Sequence, residues 1–301
     1  MGDFHQAQTS CPAQMKKIPV RQIKSSNKEQ ASSGSFSIRK VEDLLKGNDL
    51  IQDLHRHDFF FILALQKGAG KHEIDFIPYD ISDLSVFMIR PGQVHQLQLK
   101  TGSTGYLMEF NMTFYQPGDK ISIQRLRKAG NKNYCQLNTE RFEKLRAVLS
   151  YIFHEYTDKQ EAHQEIIKAN LDIFFIELVR QSHSSDSTSK NVTPYEQERM
   201  EEFLELLDEH IISQKQVSHY SNLMNLSVYQ LNEITKTSIG KTPSELINEH
   251  ITLEAKRQLL ATSSQIKDIA DQLGYEDPSY FIRFFKKQTG LSPEVFRHKF
   301  G

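Results

Sequence analysis

The sequence predicts an α+β chain: a β-rich N-terminal unit, two long helices, then an all-helical C-terminal unit. Three observations carry this. Between Phe36 and Phe114, short apolar runs at even spacing are cut by turn signals such as KGAG, RPG and KTGSTG. After Asn138 the apolar period lengthens to that of a helix. Beyond Tyr195 the helical period persists, punctuated by capping residues and glycines.

The bulk composition sets limits. With 301 residues, 38% hydrophobic and 25% charged, the chain has room for two globular domains. A formal charge of -1 argues against a protein that coats nucleic acid but allows a local basic patch. Two cysteines, Cys11 and Cys135, make neither a disulfide framework nor a CxxC metal site. The first residues lack a signal-peptide core, and no run of 18 apolar residues occurs, so a cytoplasmic protein with no membrane association is expected.

Taken in order, residues 1–35 are rich in Gln, Ser and Lys and read as a flexible arm. The β-rich unit spans 36–136, as a sandwich or small barrel. In its first run, His55, His57, Phe59, Phe61 and Leu63 share one strand face. A helical segment, 137–181, follows. Asn138 or Thr139 caps its first helix, and its second is apolar nearly all round in LDIFFIELV, as in a helix buried against both the β unit and a second subunit. The Ser-rich stretch 182–195 reads as a linker, and 196–301 as the helical domain.

Two segments of that domain share one grammar: VSHYSNLMNLSVYQLNEITKTSIG (217–240) and IKDIADQLGYEDPSYFIRFFKKQTG (266–290). Each has a short helix with a small residue inside it, Ser221 or Ala270, and a turn at Asn225 or Gly274. A capped second helix then begins at Ser227 or Asp277 and stops at a glycine. This is helix-turn-helix grammar, in which the second helix is presented to the DNA major groove.

The run Ile269, Ala270, Gly274, Tyr275, Asp277, Ser279, Tyr280, Phe281, Arg283, Phe285, Lys286, Lys287, Gly290, Ser292, Pro293, Phe296 and Arg297 resembles the C-terminal signature of AraC/XylS-type transcription regulators. The resemblance covers roughly 200–301. It implies two DNA-reading helices. In the second, Ser279, Tyr280 and Arg283 face outward, where an arginine can read guanine in bidentate fashion, while Lys286 and Lys287 lie nearer phosphate. In the first, Leu231 and Ile234 face inward and leave Tyr229, Gln230, Asn232, Glu233 and Lys236 for contact; the resemblance places Tyr229, Asn232 and Glu233 at base-reading positions. From Ile211 onward, eleven Lys/Arg face nine Asp/Glu, so binding by a homodimer is expected to compensate for modest affinity per domain.

The segments HRHDFFFILALQKGAG, PGQVH and GYLMEF resemble the cupin-like β-barrel effector domain that often precedes such a DNA-binding domain. The resemblance implies a small-molecule effector of unknown identity, a pair of dimerisation helices, and double-stranded DNA and RNA polymerase as partners. The candidate pocket is His55, His57, Phe59, His95, Tyr106 and Met108, with Phe61, Met88 and Phe110 beside them. His55, His57 and His95 match a cupin metal triad, but the glutamate expected after HxH is replaced by FFFILAL. No metal and no cofactor are therefore expected; the alternative is a metal-dependent cupin enzyme with a helical accessory domain.

Overall fold

The computed structural model describes residues 19–21, 23, 35–185 and 193–300. Most of the expected arm and the centre of the expected linker, 186–192, lie outside the described residues.

The N-terminal unit begins with β1 (Val20–Arg21), β2 (Phe36–Lys40) and the one-turn helix α1 (Val41–Leu45). Next come β3 (Leu50–His57), β4 (Phe60–Lys67), β5 (Gly70–Ile74), β6 (Ile77–Ile81), β7 (Ser85–Ile89), β8 (Val94–Leu99) and β9 (Thr104–Phe110). Helix α2 (Lys120–Gly130) and β10 (Tyr134–Gln136) complete it. The strands form two five-stranded sheets, ordered β1-β3-β8-β5-β6 and β10-β7-β4-β9-β2. Among the described residues, the β1–β3 ladder alone is parallel and the others are antiparallel.

Of the expected sandwich or small barrel, the structure shows a sandwich of two sheets that do not close. Phe59, Phe61, Phe87 and the rings of His57, His72 and His95 lie between the sheets, and such bulk holds facing sheets about 10 Å apart. Part of the expected arm is also ordered. Val20 and Arg21 pair with Arg56 and His57, and Ile23 is buried in the inter-sheet core.

Helices α3 (Thr139–Asp158) and α4 (His163–Ser185) cover the outer face of the second sheet. Asn138 caps α3, its side chain accepting from the Arg141 N–H at 3.0 Å. That second sheet is therefore buried on both faces. One side of α4 remains uncovered, with Ala169 and Ile173 exposed and Ile166 half-buried.

The C-terminal unit comprises α5 (Pro194–His210), α6 (Val217–Leu223), α7 (Val228–Ile239), α8 (Pro243–Ala261), α9 (Ile266–Gln272), α10 (Pro278–Thr289) and α11 (Pro293–Phe300). Helix α4 enters the expected linker as far as Ser185, and α5 starts at Pro194 behind a Thr193/Glu196 capping box. Phe203, Tyr220, Leu231, Leu259, Phe281 and Phe285 are fully buried and belong to one core. Each such side chain contributes about 1.5–3 kcal/mol.

Candidate nucleic-acid interface and sensor site

The two helix-turn-helix units are built alike, bond for bond. In the first, Asn225 takes a left-handed φ of 52° and the Leu226 N–H donates to Ser221 O at 2.8 Å. In the second, Gly274 takes φ 69° and the Tyr275 N–H donates to Ala270 O at 2.9 Å. Ser221 and Ala270 are both buried, as small residues must be where two helices cross closely.

The turns differ in one respect. A Cβ on Gly274 would stand 2.3 Å from Ile212 O, so the second turn sits directly on the backbone that follows α5. Lys215 fastens this contact, donating to Ile212 O and Gly274 O at 3.0 Å each, with its ammonium over the Tyr275 ring.

Helix α10 starts abruptly. Asp277 accepts from the Ser279 N–H at 2.8 Å, and Pro278 holds the first helical φ. That hydrogen bond, and then the nearby Arg283 charge, keep the Asp277 carboxyl below its ordinary pKa. Phe281 and Phe285 are buried and Phe284 half-buried, which turns Ser279, Tyr280, Arg283, Lys286 and Lys287 outward. Among the described residues, no hydrogen bond or ion pair engages the Arg283 guanidinium. Arg297, at the end of the same motif, instead ties α11 to the body, donating to Leu259 O and Ser264 O at 2.9 and 2.8 Å.

In α7, Leu231 and Ile234 are buried and Tyr229 is 72% exposed, with Glu233 and Lys236 also in solvent. Two expected contact residues, one of them an expected base reader, are less available. The Gln230 side-chain oxygen accepts from the Ser227 N–H and hydroxyl at 2.9 and 3.0 Å, completing a capping box and leaving only its amide NH2. Asn232 is half-buried.

The sensor candidates divide between two faces. His55, His57, Phe59 and His95 lie together between the sheets. Tyr106 and Met108 do not. With Met88 and Phe110 they belong to the outer cluster beneath α3 and α4, Tyr106 lying 5.8 Å from Phe153. They are removed from the pocket. The reason is alternation: Leu107 takes the inward position on β9, so its neighbours point out.

The structure adds a fourth ring, His72 of β5. Its Nε2 lies 2.9 Å from His95 Nδ1, and His95 Nε2 lies 2.7 Å from His57 Nε2. His55 Nδ1 lies 2.6 Å from Asp53 O, and since a carbonyl only accepts, this nitrogen carries the proton. Burial pushes His55 down to about 4, His57 and His72 to about 3, and His95 well below its ordinary value. All four are neutral at physiological pH. The sequence signal for His72 was its inward register with Ile74 in GKHEI, two places apart on one strand.

Directly beneath the histidines, the N-terminal unit meets the helical one. The β5–β6 hairpin turns through Asp75 and Phe76, whose φ values are 49° and 69°. Asp75 is buried and accepts from Arg257 of α8 at 2.9 and 2.6 Å, and from Gln93 at 2.6 Å. Phe76 meets Phe296 edge-on at 6.1 Å and lies under the Lys256 ammonium. Val94 and Leu54, each next to an inward histidine, pack into the core of the C-terminal unit. Arg90–Asp208 at 2.9 Å and Lys128–Glu201 at 2.5 Å extend the contact.

An AraC-like ligand-binding domain model matches residues 48–171, and a helix-turn-helix domain model matches 220–299. The chain belongs to the AraC family of transcription regulators. It carries the family's N-terminal ligand-binding domain and its helix-turn-helix DNA-binding domain. Among curated relatives, the transcriptional activator RhaR of Cronobacter sakazakii is 22% identical over 253 residues, covering 82% of this chain and 87% of the relative. The activator RhaS of Pectobacterium atrosepticum is 25% identical over 252 residues, covering 81% and 87%. Such activators are not enzymes, and the cupin-enzyme alternative has no counterpart among them. Among solved structures, the C-terminal domain of the response regulator yesN from Fusobacterium nucleatum is 30% identical, covering 32% of this AraC-family chain and 93% of that one, at a TM-score of 0.30. Fatty-acid-bound ToxT from Vibrio cholerae is 19% identical, covering 89% and 97%, at a TM-score of 0.41. Among the described residues, no helix is long and apolar enough to cross a membrane.

Proposed function

We propose that this regulator binds specific double-stranded DNA through α7 and α10, and that a small molecule held between its sheets alters that binding through the Asp75–Arg257 contact. The observation that carries the reading is the alternation along β3 and β8. His55 and His95 face the sensor interior, while Leu54 and Val94 beside them pack into the core that holds both helix-turn-helix units. A ligand that shifts either strand must therefore shift the floor on which α8 rests. Arg257 lies on α8, the helix joining the two units, so the shift changes how α7 and α10 are presented.

On α10, Arg283 and Tyr280 read bases while Lys286 and Lys287 hold phosphate; on α7, Tyr229 and Glu233 read bases, with Gln230, Asn232 and Lys236 at the margin. The stripe Ile166, Ala169 and Ile173 on α4, apolar at helical spacing, serves a homodimer. The relatives' roles suggest a cytoplasmic activator that contacts RNA polymerase. Selection of bound fragments from a random DNA pool tests the reading. It predicts enrichment of a motif whose two contact blocks lie about one helical turn, roughly 34 Å, apart per chain. A pool that stays unenriched defeats it.

A further inference from the structure

We propose that His55, His57 and His95 bind a divalent first-row transition ion such as zinc, with His72 as the outer hydrogen-bond partner that orients His95. This replaces the metal-free pocket expected from the sequence. One ring nitrogen of each of the three lies within 4.8 Å of the others, and all three rings are buried.

The geometry around His55 favours a metal site over a chain of hydrogen-bonded rings. The Asp53 carbonyl fixes His55 as the Nδ1–H tautomer, so His55 Nε2 is a bare lone pair. That atom is buried and has no hydrogen-bond partner. In a purely hydrogen-bonded chain, one proton sits between His57 and His95 and another between His95 and His72. Neither proton reaches His55. A cation does. Three imidazole nitrogens around an ion at about 2.0–2.1 Å stand roughly 3 Å apart, close to the 2.7 Å already separating His57 Nε2 from His95 Nε2. With His95 Nε2 on the ion, His95 Nδ1 carries the proton and donates to His72 Nε2. Asp53 O then fixes the tautomer of one ligand and His72 is the outer partner of a second, the kind of support histidine ligands generally have, while His57 Nδ1 is buried without a partner. Neutral imidazoles select zinc, nickel, cobalt, copper or iron over magnesium or calcium. Three protein ligands also leave a position open for solvent or an oxygen of the effector.

The binding site stands on these atoms alone; only its consequence for DNA rests on the regulator reading. The test uses the full chain, stripped of metal and then loaded with cobalt or zinc. One ion per chain should survive desalting, and the cobalt protein should show visible ligand-field bands. X-ray absorption of the zinc protein should show three imidazole nitrogens in the inner shell. His55→Gln and His95→Gln should abolish binding, and His72→Gln should retain the stoichiometry with about 10–100-fold weaker affinity. Substoichiometric metal, fewer than three imidazoles, or unchanged binding by a folded His55→Gln protein would each overturn the site. Because absorption is read on the wild type, a variant that fails to fold does not spare the idea. Titrating specific DNA with and without zinc addresses the other reading: one bound ion with unaltered DNA affinity keeps the site and removes its signalling role.

Discussion

Asp75, in the turn of a β-hairpin, accepts two hydrogen bonds from the Arg257 guanidinium, at 2.9 and 2.6 Å, across 182 positions of sequence. Both side chains are largely buried, so neither charge can fall back on solvent. Two separately recognisable domains are thereby joined through a paired charge at the foot of the histidine cluster. Removing one partner strands the other. Arg257→Met or Asp75→Asn alone should cost about 3–5 kcal/mol in denaturant unfolding, and the double substitution much less than their sum. Additive losses would mean that the pair does not join the domains.

The hairpin turn itself is strained. Asp75 and Phe76 both take φ > 0, in a turn type that favours Asn-Gly, and Phe76 at 69° bears a cost of roughly 1 kcal/mol. What holds it is the contact with Phe296 and Lys256. Phe76→Gly should therefore raise amide-exchange protection in β5 and β6 while lowering it in α11 and the adjoining turn of α8. Unchanged exchange in α11 would show that the hairpin does not bind the helical domain.

Much of this was legible in the sequence where the cause is local. Ser227, Asp277, Gly240 and Gly290 cap their helices by contacts within a few residues, so α7 and α10 could be bounded in advance. The parity of Tyr106, Met108 and Phe110 was equally local, but their direction was not. Both faces of their sheet are buried, one by the other sheet and one by α3 and α4, so hydrophobicity did not mark the inside. His72 stands outside the HxH pattern, so nothing local in the sequence sets it beside the other three histidines. In sequence, Arg257 is one of the eleven Lys/Arg beyond Ile211, and nothing near it names Asp75, 182 positions away. The two-residue strand Val20–Arg21 is too short to show a period.

The exposed face of α10 separates base reading from phosphate holding. Arg283→Ala should weaken a selected site by about 1–3 kcal/mol and leave random DNA little changed. Lys286→Ala with Lys287→Ala should weaken both, and should reduce the slope of log affinity against log salt by about 2. Equal losses from Arg283→Ala on the two DNAs would remove it from the base readers.

Ile173 is 46% exposed on a helix otherwise committed to the sheet beneath it. If this stripe seats a second chain, Ile173→Glu places a charge at the centre of that contact. Sedimentation should then show a monomer, with folding little affected because Ile173 lies outside the apolar cluster that seats α4 on its sheet. A dimer that persists unchanged would locate the contact elsewhere.

The two helix-turn-helix turns should respond differently to exchange of their turn residues. Asn225 at φ 52° is exposed, so Asn225→Gly removes a side chain from a conformation glycine prefers, and should change stability by no more than about 0.5 kcal/mol. Gly274→Asn meets the same φ preference but drives a Cβ to within 2.3 Å of Ile212 O. The turn must back away, which stretches the Lys215 hydrogen bonds and moves the start of α10. Destabilisation of at least about 2 kcal/mol is expected, with loss of specific DNA binding greater than that from Asn225→Gly. Thermal denaturation of the two variants settles it: equal shifts would mean that the second turn is free of the α5–α6 backbone, and that the rigid pairing of the two units has another source.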